Sequence, residues 1–82
     1  MIERRVSLNS IDKVKRFNAL TCEVNVDVDL VNGRYVIDAK SILGIFSLDL
    51  SKPIELHVHV KSVEDEIEAA DYLDSIAKFL VE

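Results

Sequence analysis

The chain has 82 residues, 49% of them hydrophobic and 30% charged, with a formal net charge of -5. That leaves room for one folded domain, residues 1–82, with a single modest core and no deep enclosed cavity. The acidic balance excludes nucleic acid and anionic lipid as main partners, because both need a basic footprint.

Met1 to Leu8 reads as a strand. Ile2, Val6 and Leu8 fall on one side, with Arg4 breaking the alternation, and Glu3, Arg5 and Ser7 take the other side. Asn9 or Ser10 then caps a helix that runs to about Thr21, with Ile11, Val14, Phe17 and Leu20 at helical spacing. Lys13, Lys15 and Arg16 are a local basic cluster, read here as the solvated side of that helix. Cys22 is the single cysteine, so no intramolecular disulfide forms.

Glu23 to Leu30 shows the clearest alternation. Val24, Val26, Val28 and Leu30 interleave with Asn25, Asp27 and Asp29, which predicts a strand with one buried and one wet face. Asn32-Gly33 supplies positive φ for a hairpin, and Arg34 to Ile37 returns as a second strand.

The stretch from Asp38 to Leu56 joins that strand to the next. Ser41 is suited to cap a short helix, because its hydroxyl accepts from an amide two or three residues on. Ile42, Leu43, Ile45 and Phe46 then cover more than one helix face. Two turns cannot bury all of them. Ile45 and Leu48 are the better core candidates, so Ile42, Leu43 and Phe46 are expected to leave apolar surface exposed beside Ser41. Lys52-Pro53 is expected to end the helical part.

Ile54, Leu56, Val58 and Val60 alternate with Glu55, His57, His59 and Lys61 in a fourth strand. His57 and His59 share a face at i and i+2, with Asp27 or Asp29 as conceivable neighbours. Two imidazoles without a firm third ligand read as an ordinary wet face, and no metal or cofactor is expected. Ser62 caps the last helix, with Asp65 three residues on as an approximate capping box. Its apolar stripe is expected on Ile67, Ala70, Leu73, Ile76, Ala77 and Leu80, flanked by Tyr72 and Phe79. The order is therefore βαββαβα, an α+β open-faced sandwich with an antiparallel sheet covered by helices on one face. Nothing resembles a catalytic triad, a phosphate loop or a paired-carboxylate site, so no enzyme is expected. With no signal peptide and no apolar run near 18 residues, the chain reads as cytoplasmic, without membrane insertion.

The run Asp38-Ala39-Lys40-Ser41-Ile42-Leu43-Gly44-Ile45-Phe46-Ser47-Leu48 resembles HPr, the small phosphocarrier family of the bacterial sugar phosphotransferase system. The element order and length match as well. The resemblance implies a four-stranded sheet of order 1-4-2-3 with three helices on one side. It also implies two phosphorylation sites. The carrier site is a histidine in a Gly-Leu-His-Ala-Arg-Pro-Ala run at the start of the first helix. This chain has Ser7-Leu8-Asn9-Ser10-Ile11-Asp12-Lys13-Val14 there, without the histidine, arginine or proline. The regulatory serine matches Ser41 in its Ala39-Lys40-Ser41-Ile42 context. The resemblance implies phosphorylation there by an ATP-dependent kinase and docking on a transcriptional regulator of carbon metabolism. The family contacts fall on Ile42, Leu43 and Phe46. It thus points to a regulator in the phosphotransferase system, a monomer or weak dimer with protein partners. The alternatives are a divergent carrier in phosphoryl relay, or a binding module that is never phosphorylated.

Overall fold

The computed structural model describes residues 1 to 81. The elements are β1 (Ile2–Val6), α1 (Ile11–Cys22), β2 (Val28–Asn32), β3 (Tyr35–Asp38), α2 (Ile42–Phe46), β4 (Ile54–Val58), α3 (Val63–Ser75), a 3-10 turn at Ala77–Phe79 and β5 (Leu80–Val81). All strand pairs are antiparallel, in the order β3-β2-β4-β1-β5. The expected 1-4-2-3 arrangement is therefore present, but the sheet has five strands rather than four. The fifth arises because α3 does not continue to the end. Ile76 leaves helical geometry, the 3-10 turn follows, and Leu80–Val81 then pairs with Arg5 and Val6.

Period-2 alternation puts Val6, Val28, Leu30, Ile54, Leu56 and Val58 on one sheet face, all buried. Val14 and Phe17 of α1, Ile45 of α2, and Ala69, Tyr72 and Ile76 at α3 close over them. The opposite face, with Glu3, Arg5 and Glu55, is open to solvent.

Several boundaries differ from the alternation pattern for identifiable reasons. The strand expected from Glu23 starts only at Val28. Side chains take the backbone groups before it: the Asn25 amide donates to Glu68 Oε2 (3.2 Å), and Lys40 Nζ donates to the Val24 carbonyl (2.8 Å). The hairpin's central residues are Gly33 and Arg34, since Asn32 pairs with Tyr35. Only Gly33 has positive φ (61°), the glycine-first pattern of a type II′ turn. The expected α3 stripe is rotated. Of its members Ile76 is buried and Leu73 and Leu80 half-buried, but Ile67, Ala70 and Ala77 are exposed, while Ala69, Tyr72 and Phe79 are buried. Tyr72 goes inside because its hydroxyl meets Thr21 Oγ at 2.6 Å, and Thr21 Oγ in turn donates to the Phe17 carbonyl at 2.8 Å. At the start of α3, Ser62 Oγ accepts from the Asp65 amide, but Asp65 returns the bond to the amide of Lys61, one residue further back than a capping box requires.

Candidate functional site

The segment around Ser41 is fixed from both sides before α2 begins. The Ala39 amide donates to the Val28 carbonyl (2.8 Å), and the Ser41 amide donates to the Asp38 carbonyl (2.9 Å). Asn18 Nδ2 of α1 donates to the Ala39 carbonyl (3.3 Å), and Asp38 Oδ1 accepts from the Lys40 amide (2.9 Å). Ala39 is fully buried. The loop is thereby pinned to β2 and α1, and Ser41 emerges from it on a defined heading.

Ser41 is exposed and has extended backbone, as an N-cap requires. Its Oγ accepts from the Gly44 amide at 3.2 Å. A Cβ at Gly44 would sit 3.2 Å from that Oγ and 3.4 Å from Ile37 Cδ1, so a side chain here would press on the capping hydroxyl by a few tenths of an ångström. Within α2, Ile45 is fully buried and Ile42 packs half-buried against the core. Leu43 is 80% exposed and Phe46 40% exposed. At i and i+3 these two lie on one side of the helix. Of the three expected surface contacts, Leu43 and Phe46 are therefore available, and Ile42 is mainly a packing residue. Leu48 is half-buried, in line with its expected role.

α2 ends at Phe46, well before Lys52-Pro53. Ser47 ends it instead: both its amide (3.1 Å) and its hydroxyl (2.6 Å) donate to the Gly44 carbonyl. A second tight turn follows, in which Asp49 Oδ1 accepts from the Ser51 hydroxyl (2.6 Å) and amide (3.1 Å). Those two bonds, the hydroxyl one first, hold the Asp49 carboxyl below its ordinary range. Pro53 then only leads into β4.

The start of α1 carries no imidazole. Ser10 is the N-cap, its Oγ accepting from the Lys13 amide (3.1 Å), while Asn9 Oδ1 accepts from Lys13 Nζ (3.0 Å). Arg16 pairs with Asp12 at 3.1 Å on the exposed side. Ile11, expected in the core stripe, is 65% exposed; Val14 and Phe17 carry the buried side of α1 instead. Cys22 is exposed, its thiol 3.5 Å from the Lys40 carbonyl.

Both histidines belong to the open side of the sheet, away from the helices. They do not share a site. His59 Nε2 meets Asp29 Oδ2 at 2.9 Å, whereas His57 Nε2 faces Glu3 Oε1 at 3.6 Å. No helix among the described residues is long and apolar enough to cross a membrane.

No protein-family model matches this sequence, and no curated protein matches it. Solved structures do. The chain is similar to the phosphocarrier protein HPr of Bacillus anthracis str. Ames, with a TM-score of 0.73 and 21% identity over 98% of this chain and 96% of that one. It is also similar to HPr-C-His of Thermoanaerobacter tengcongensis, with a TM-score of 0.65 and 19% identity over 93% and 94% of the two chains. Likeness at this level of identity establishes an HPr-like fold.

Proposed function

We propose that this chain is a regulatory docking protein of the phosphotransferase type, switched by phosphorylation of Ser41 and not acting as a histidine phosphocarrier. The observation that carries the proposal is the pairing of an exposed, fixed Ser41 hydroxyl with exposed Leu43 and Phe46 on the helix it caps. A phosphate there adds a charge of about -1.5 to -2 beside an apolar surface. At a helix start such a charge changes stability by only about 0.3–1 kcal/mol. The modification therefore rewrites the surface and leaves the fold alone, as a docking switch requires.

The carrier role is disfavoured by chemistry. A phosphoramidate on imidazole has a high transfer potential and passes its phosphoryl group onward, which a serine phosphate does not do readily. The residues at the start of α1 are Asn9, Ser10 and Ile11. The two imidazoles lie across the thickness of the sheet from the helices.

Incubation with an HPr-type kinase and ATP, followed by intact-mass measurement, tests the proposal. One phosphate is expected on the wild type and none on Ser41→Ala; an unmodified wild type refutes the switch. Phosphoenolpyruvate with enzyme I is expected to leave no acid-labile label, and a label would restore the carrier reading. Leu43→Ser is expected to change stability by less than about 0.5 kcal/mol, because Leu43 is solvent-facing. The same change should weaken binding to a carbon-metabolism regulator at least tenfold, as measured by calorimetry. Unaltered affinity would remove Leu43 from the docking surface.

A further inference from the structure

On the open side of the sheet, register lines up a row of polar side chains. Glu3 of β1 sits opposite His57 of β4, and Asp29 of β2 sits opposite His57 on the other flank. Asp29 is engaged by His59 at 2.9 Å. His57 is left with the β1 side. There its Nε2 is shut off from solvent and makes no hydrogen bond, since Glu3 Oε1 at 3.6 Å is out of range. Glu55, two residues before His57 on the same strand, points to the same face. One ligand atom from each of Glu3, Glu55 and His57 lies within 4.8 Å of the other two.

We propose that Glu3, Glu55 and His57 form a binding site for a divalent first-row transition ion of the zinc type. Bonds of about 2.0–2.2 Å to nitrogen and carboxylate oxygen place tetrahedral ligand atoms a little over 3 Å apart. His57 and Glu3 are almost at that separation already. Both glutamates are exposed, so their side chains are free to close the remaining distance. The His57 nitrogen, which lacks a partner, gains one. Arg5, opposite Glu55 in the same row, and Arg4, whose guanidinium donates to the Glu3 carbonyl at 2.9 Å, are the nearby cations whose field the ion must overcome. An imidazole donor favours zinc or cobalt over magnesium or calcium, which prefer oxygen alone. Three protein ligands leave a coordination position open to solvent. This site lies on the side of the sheet away from Ser41's helix and does not depend on the proposed switch. The grouping of His57 and His59 with Asp27 or Asp29 considered from sequence is replaced by His57 with two glutamates, one of them from β1.

The test uses the full chain carrying Cys22→Ser, because the exposed thiol is itself a zinc ligand. Titration with zinc, read by calorimetry, is expected to give a Kd in the micromolar range, and magnesium no binding. Zinc at about 100 times Kd is expected to raise Tm by about 15 °C. In nuclear magnetic resonance spectra of the same protein, zinc should shift the His57 ring signals and leave those of His59 in place. His57→Gln and Glu3→Gln should each weaken binding about 100-fold or more, while His59→Gln stays within threefold. A Kd above 100 µM, equal binding of magnesium, ring shifts confined to His59, or His57→Gln and Glu3→Gln at wild-type affinity would each overturn the assignment.

Discussion

Phe17→Ala is expected to lower stability by about 3–5 kcal/mol, the usual cost of emptying a buried aromatic position. Phe17 has no solvent exposure and meets the Phe79 ring edge-on, with centroids 6.2 Å apart and planes at 88°. Phe79 belongs to the 3-10 turn that delivers β5. The pair thus couples α1 to the last part of the chain, and it adds about 0.5–1.5 kcal/mol beyond area burial. Domains of this size hold only about 5–15 kcal/mol in total, so the substitution removes a large share. In a thermal melt the loss corresponds to about 15–30 °C. Urea denaturation is the cleaner measure, with Phe79→Ala and the double variant completing a cycle. A loss below about 1 kcal/mol for Phe17→Ala would mean that the two rings are not packed as described.

The second expectation concerns alkali. The Tyr72 phenol is pushed up to about 12, chiefly by burial, with the Thr21 hydroxyl opposing and the Cys22 thiol adding to the rise. Thr21 spends its only proton on the Phe17 carbonyl, so the Tyr72 hydroxyl is the donor between them. A phenolate would undo that chain of bonds. The folded value lies above the unfolded one of about 10, so the contribution to stability is complete below pH 10. Between about pH 10 and 12 the unfolded chain releases a proton that the folded chain keeps. Each pH unit then removes about 1.4 kcal/mol, or about 2–3 kcal/mol in all. Tyr72→Phe should lose about 1–2 kcal/mol at neutral pH, because Thr21 loses a donor but keeps its bond to Phe17. It should also lack the alkaline decline. Urea midpoints from pH 9 to 12 for both proteins check this; parallel curves would show that Tyr72 ionises as freely in the fold as outside it.

β1, β2 and β4 were legible because alternation needs only a wet and a dry side, and β3 because Asn32-Gly33 and β-forming residues announce a hairpin. Ser41 was legible as a cap because a hydroxyl before an apolar turn has few other uses. Other features depended on partners distant in sequence. Ala69 and Tyr72 rank below Ile67 in hydrophobicity, yet they face inward, since Thr21 satisfies the phenol from 51 residues away. Val24 and Asn25 alternate like a strand but give their backbone groups to Lys40 and Glu68. The two-residue β5 was hidden because Ala77 to Val81 continues a helical spacing, and only tertiary pairing reveals the break. The Glu3–Glu55–His57 grouping was out of reach for the same reason. Its members come from the first strand and from β4 far along the chain, and register alone unites them.

β5 also has a bearing on the two margins of the sheet. Unpaired strand amides at a sheet margin invite pairing with another chain. Leu80 and Val81 cover the margin of β1 at Arg5 and Val6, and the Ser7 amide is taken by the Phe79 carbonyl at 2.8 Å. At the other margin, β3 is only four residues long and ends on the charge of Asp38, with Arg34 just before it. One border is therefore guarded by a short strap and the other by brevity and charge, which blunts both as templates for another strand.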